Sequence, residues 1–202
     1  MIVVYVETNF LLNLALKQEN NFYARKLLRL ATESKISLKI PSQCYSESYS
    51  SLFSAHGDLK KYKEDSIYRL TQMGRSTLHR SNYEQYKNIP AVIDAMSLKE
   101  TTRLDNELTR IFKIVTFLPV SRKSHMRGLV FRKKLDIAHE IDASIVATIE
   151  EDIKRLSPRT KRIFVTLDNK SILKKPEVKR FMSNIHCKPF SNFKEAFLYL
   201  NR

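Results

Sequence analysis

The chain opens on five consecutive strand-forming residues, Ile2-Val3-Val4-Tyr5-Val6, and the run stops at a carboxylate, Glu7. An unbroken run of this kind suits a strand buried on both faces, as the central strands of parallel sheets are. Parallel strands need crossover connections, usually helices, so this one feature commits the chain to alternating strands and helices. The pattern continues along the sequence. Ile36, Leu38 and Ile40 alternate in a short strand ended by Pro41, Ile163 to Leu167 is a second strong run stopping at Asp168, and Ile185 to Phe190 reads as a last strand. Helical spacing joins Leu12, Ala15 and Leu16, then Tyr23, Leu27 and Leu28, with a polar break from Lys17 to Asn21. Ser42 is positioned to cap a helix through Cys44, Glu47 and Leu52, a further helix spans Ile141 to Leu156, and Ser191 or Asn192 precedes a terminal one. From Asp58 to Leu118 the text is charged and helical, with a loop expected over Ser81 to Pro90. The expectation is an α/β layer fold around a mainly parallel sheet, in a single domain.

Composition narrows the partners. The 202 residues carry 36 Lys and Arg against 21 Asp and Glu, a formal charge of +15, and a field of that sign attracts polyanions, nucleic acid first among them. With 3 glycines no Gly-rich phosphate loop can be assembled, which argues against ATP- or dinucleotide-dependent chemistry. No apolar run approaches the roughly 18 residues that span a bilayer, so no membrane partner is expected. Met1 leads straight into the first strand without an export signal, so the reading is cytoplasmic, with Cys44 and Cys187 as reduced core residues.

The strand ends carry the chemistry. In parallel sheets ligands bind beyond the carboxyl ends of the strands, where Glu7 and Asp168 stand, each followed within two residues by an asparagine, Asn9 and Asn169. Asp142 precedes Ile145, Val146, Ile149 and Ile153 on the apolar stripe of its helix, a costly place for a charge unless it is paired or binds a cation. Glu47 lies in the first turns of the helix after the second strand. Four carboxylates at one sheet edge repel one another, and oxygen-only ligands favour Mg²⁺ or Mn²⁺. Such ions beside a basic surface suit phosphodiester hydrolysis.

Val4-Tyr5-Val6-Glu7-Thr8-Asn9-Phe10-Leu11-Leu12 resembles the opening of PIN-domain nucleases, an apolar strand ending in an acid, then Thr or Ser, then Asn. Ile141-Asp142-Ala143-Ser144-Ile145-Val146-Ala147-Thr148 is similar to that family's helix bearing the third acid, and Phe164-Val165-Thr166-Leu167-Asp168 to its last acidic strand end. Glu47 falls where the second acid would stand. The resemblance covers roughly residues 1–55 and 135–200 and leaves about 56–134 as a helical insertion or enlarged helical arm. It implies a three-layer α/β/α PIN-like fold and divalent-metal-dependent cleavage of RNA, less often DNA. It further implies use as a toxin of toxin–antitoxin pairs or as an RNA-processing factor, so that an antitoxin, another regulatory protein or a second copy are expected partners. By that resemblance Glu7, Asp142 and Asp168 hold the first metal ion, Glu47 orients water or helps hold a second, and Thr8, Asn9 and Thr166 support them. The family usually has Asp where this chain has Glu7, and the longer side chain bears on whether Mg²⁺ or Mn²⁺ serves better.

Of the basic residues, 19 fall in residues 120–202 against 9 acids, and the cluster Arg122, Lys123, Arg127, Arg132, Lys133 and Lys134 is expected to line the substrate approach. Tyr45, Tyr49, Tyr83 and Tyr86 are candidates for stacking on single-stranded bases, and His139 for acid–base work beside Asp142. Two other functional readings stand beside the endoribonuclease: a structure-specific DNA nuclease, and a non-catalytic RNA-binding scaffold whose metal site has decayed.

Overall fold

The computed structural model describes residues 1–168 and 172–201. Strands β1 (Ile2–Val6), β2 (Ser37–Pro41), β3 (Thr116–Leu118), β4 (Lys161–Val165) and β5 (Cys187–Phe190) form one sheet. Their order is β3-β2-β1-β4-β5, and every pairing is parallel. The opening run therefore is the central strand, and Val3 to Val6 are fully buried. From β1 the chain builds outward through β2 and β3, then returns to lay β4 and β5 on the other side. β1 and β4 are neighbours in register, Val6 beside Val165, which puts the residues after both strands at the point where the order reverses.

The helices are α1 (Thr8–Leu16), α2 (Asn21–Thr32), α3 (Gln43–Arg75), α4 (Arg80–Tyr86), α5 (Ile89–Ile111), α6 (Arg122–Lys134), α7 (Glu140–Ile153), α8 (Pro176–Asn184) and α9 (Phe193–Leu200). α7 packs against β2 and β3, with α6 lying on it, whereas α2 and α9 pack on each other and on β2, β4 and β5. Helices and sheet in this order are consistent with a three-layer α/β/α arrangement. Tyr23 of α2 meets Phe197 of α9 at 6.0 Å, and Phe10 of α1 meets Phe193 edge-on at 5.5 Å between ring centroids.

Two devices fix α7, the helix that carries Asp142. On the sheet face, the Tyr5 hydroxyl donates to Asp152 Oδ2 at 2.6 Å, and Lys39 Nζ donates to both Asp152 oxygens at 2.9 and 2.8 Å. Tyr5 and Lys39 are register partners on adjacent strands, so the pair grips one carboxylate from two strands. On the outer side, Gly128 lets α6 approach closely: a Cβ there would meet Ser144 Cα at 3.0 Å and its backbone nitrogen at 3.2 Å.

Several local expectations change. β3 was expected as the end of a helix; it is a three-residue edge strand whose Thr116 is exposed. The loop over Ser81 to Pro90 is largely helical, because Pro90 opens α5 in a position where its missing N–H costs nothing, while α4 fills the turn before it. α3 runs unbroken for 33 residues, longer than expected, with open space around Gly57. Ser42 is in the helical region of φ and ψ, and its side chain makes no cap bond. The distal parts of α3 and α5, with α4 at the tip, form the helical arm; residues 56–134 also supply β3 and α6.

Candidate functional site

The end of β1 turns directly into α1, and Glu7 is the hinge between them. It is the N-cap residue: Asn9 N–H donates to its Oε2 at 2.8 Å, and Leu167 N–H, just past β4, donates to Oε1 at 3.4 Å. The carboxylate thus ties the two central strand ends together and faces the N-terminus of α1, where its charge is favoured. Glu7 is 5% exposed. Burial pushes its pKa up to about 7, opposed by the hydrogen bonds from Asn9 and Leu167 and reinforced by the charge of Glu47.

The other three acids gather around this point from separate elements. Glu47 lies in the second turn of α3 and accepts a hydrogen bond from the Thr8 hydroxyl. Burial raises its pKa, the Thr8 hydrogen bond pulls it back, and the neighbouring charge of Asp168 raises it again. Asp142 in the first turn of α7 is half-buried, and burial followed by the charges of Asp168 and Glu47 brings it up to about 6. His139, the N-cap residue of α7, acts on Glu47 and Asp142 in the opposite direction. Asp168 follows β4, where its N–H donates to Thr166 Oγ1 at 2.9 Å, and Thr166 is fully buried. Glu7, Glu47, Asp142 and Asp168, separated by up to 161 positions in sequence, therefore sense one another's charge at the carboxyl end of the sheet. Asn169 lies outside the described residues.

The donor set is all oxygen, which is the chemistry of a hard dication such as Mg²⁺ or Mn²⁺. None of Glu7, Glu47 and Asp142 forms an ion pair with Lys or Arg among the described residues, although each is at least half-buried. A cation from solution would relieve both the burial and the mutual repulsion. However, no three His, Cys, Asp or Glu side chains among the described residues are grouped so as to hold one ion. Glu7 in particular spends both oxygens on backbone N–H groups. The residues fit the group in kind, as an all-oxygen donor set.

The supporting residues divide by what they touch. Thr8 holds Glu47, Thr166 holds the turn to Asp168, and Asn9 holds Glu7 through its N–H while its carbonyl accepts from Asn13 Nδ2 at 2.8 Å. The basic cluster spans the length of α6, so its two ends lie about 18 Å apart. Arg132, Lys133 and Lys134 occupy the last turn, five residues of loop before α7 and its Asp142. Arg127 is taken up differently: it pairs with the buried Glu150 at 3.0 Å and stacks over Phe131 at 4.5 Å. Lys123 borders a cleft with Arg127, Glu150 and Lys154 between α6 and α7. Tyr45 and Tyr49 stand about 200° around α3 from Gln43 and Glu47 respectively. They form a ladder with Phe53 and Phe112, and Tyr49 donates to Asp105 of α5. Their work is to join α3 to α5, and they do not face the acids. Tyr83 packs against Gly74 at the tip of the arm, far along α3 from Glu47, and Tyr86 is exposed there.

Two residues near the acids carried no sequence signal of their own. Cys44 is a free, buried thiol whose pKa rises well above the usual value through burial and through the charge of Glu7, while hydrogen bonding with Thr8 opposes the rise. Gln43 precedes it, and the oxygen and nitrogen of its side-chain amide are buried with no hydrogen-bond partner among the described residues. Such a group costs about 1–3 kcal/mol. Comparison with protein-family models, curated proteins and solved structures finds no match to this chain.

Proposed function

We propose that this chain is a divalent-metal-dependent endoribonuclease of PIN-like type. The observation that carries the reading is the assembly of Glu7, Glu47, Asp142 and Asp168 at the strand-order reversal, where their burial and mutual charge raise the proton affinity of at least three of them. Glu7, Asp142 and Asp168, with Glu47 alongside, would hold Mg²⁺ or Mn²⁺, which when bound activates water and steadies charge on phosphate oxygens. The chain's own groups supply the rest. Asn9 and Leu167 N–H fix the Glu7 carboxylate, Thr8 fixes Glu47, and the α7 grip on the sheet through Tyr5 and Lys39 sets the height of Asp142. Arg132, Lys133 and Lys134 guide the RNA backbone toward the acids, an attraction that weakens as salt rises. Hydrolysis adds a water oxygen to phosphorus and breaks the bond to the leaving ribose oxygen, which takes up a proton.

Purified protein with Mn²⁺ is expected to cut single-stranded or structured RNA, EDTA to stop it, and Asp142→Asn to slow it by about 100-fold or more. Cleavage that survives both EDTA and Asp142→Asn would overturn the mechanism. Branched DNA digested in parallel separates the ribonuclease from a DNA nuclease of the same architecture. A second reading draws on the engagement of Glu7 with two amides and the open spacing of the other acids: an RNA-binding scaffold without catalysis. Tight RNA binding with no cleavage in any divalent metal would favour it.

A further inference from the structure

Between the N-terminus of α3, the turn after β3 and the first turns of α7 lies a cleft of about 270 Å³, lined by Gln43, Val120, His125, Glu140, Ile141 and Ser144. This is just under the ordinary range for small-molecule sites, about 300–1,000 Å³, and suits a single ring system. Gln43 contributes the orphaned amide, which can donate and accept at once. Val120 and Ile141 border the opening as aliphatic side chains 38% and 46% exposed. His125 and Glu140 are exposed at the same place.

The cleft adjoins the acids on two elements. Gln43 precedes Glu47 by one helical turn on the same face of α3, and Ile141 immediately precedes Asp142 on α7. A ligand suited to this lining is flat, apolar on its faces and polar along one edge. We propose that the cleft is a base-recognition subsite for the nucleotide beside the acid cluster, with Gln43 reading the base edge; this rests on the reading of the chain as acting on RNA. Val120 and Ile141 lie against the faces of the base, and the imidazole of His125 offers a stacking surface. The Gln43 amide is closed to water, so its side chain turns about its own torsions to meet the base and gains the partners it lacks. The Glu140 carboxylate only accepts, so with Gln43 holding the base edge in register the exocyclic amine of adenine or cytosine can donate to it, whereas the O4 carbonyl of uracil would face it.

Fluorescence anisotropy on the full chain tests this, with labelled hexaribonucleotides of adenine, cytosine or uracil in EDTA, where hydrolysis does not compete. The expected result is adenine or cytosine bound about tenfold tighter than uracil, narrowing to about twofold in Gln43→Leu. The melting temperature of Gln43→Leu should hold or rise, because the change removes an unpaired buried amide; Glu140→Gln, at an exposed position, should narrow the same preference. Equal affinities in the unaltered chain, no binding, or a preference that persists in both variants would overturn the subsite. Failure of the nuclease reading shows separately, as absence of Mn²⁺-dependent cleavage while the base preference remains.

Discussion

Asp142 and Asp152 stand at opposite ends of α7, and the chain treats them in opposite ways. Asp152 receives the Lys39 ammonium and the Tyr5 hydroxyl, with the Lys39 and Asp152 side chains only 13% and 14% exposed. Asp142 receives the charges of Asp168 and Glu47, and among the described residues His139 opposes them. One carboxylate is neutralised from within and anchors the helix; the other is left with its repulsion. The difference teaches that burial of an acid against this sheet is not itself a sign of function. What distinguishes Glu7, Glu47 and Asp142 is that none of them pairs with Lys or Arg among the described residues.

Substitution should separate the two ends of the helix. The largest effect belongs to activity: Asp142→Asn should lose RNA cleavage while its melting temperature holds or rises, since a mutually repelling charge is removed. Asp152→Ala should do the reverse at the level of stability. It strands Lys39 and Tyr5 in a nearly closed space and should cost about 3 kcal/mol in urea unfolding. Were Asp142→Asn to unfold the protein and Asp152→Ala to leave it intact, the roles assigned to the two ends would be exchanged.

The pH dependence sharpens the same contrast. Glu7 and Asp142 have folded pKa values of about 7 and about 6, above those of an unfolded chain, so the folded protein binds more protons between pH 4 and 7. The stability these two groups contribute without metal is therefore full below about pH 4, falls as pH rises from there through about 7, and is level above it. Glu7 alone is worth about 3 kcal/mol over that range at roughly 1.4 kcal/mol per pKa unit. Added Mn²⁺ should raise the melting temperature more at pH 8 than at pH 5, because protonated carboxyls do not bind it. A smaller effect is expected at the packing of α6 on α7: Gly128→Ala places a methyl against the Ser144 backbone and should cost about 1–3 kcal/mol by urea unfolding.

Legibility from sequence followed local physics. The buried run Ile2–Val6 announced a central strand, and the carboxylates at its end and after β4 announced the sheet edge, because strand burial and strand termination are both local signals. The parallel register of β1 with β4 then brings Glu7 and Asp168 together. β3 was not legible, since three residues with an exposed Thr116 form a strand only by pairing with β2. The loop reading of Ser81 to Pro90 gives way to helix, since α4 spans Arg80–Tyr86 and Pro90 lies in the first turn of α5, where proline is tolerated. Tyr45 and Tyr49 were plausible stacking residues until the turn of α3 set them on the face opposite Glu47. Gln43 carries no pattern at all; its orphaned amide exists only once α3, α6 and α7 have met around it.

Isothermal titration of the full chain with Mn²⁺ at pH 7.5 tests most directly whether the strand-end acids await an external cation. Saturable binding in the unaltered protein, lost in Asp142→Asn and retained in Asp152→Asn if that variant stays folded, is the predicted result. Absence of saturable heat in the folded, unaltered chain, or binding that Asp142→Asn leaves unchanged, would contradict it.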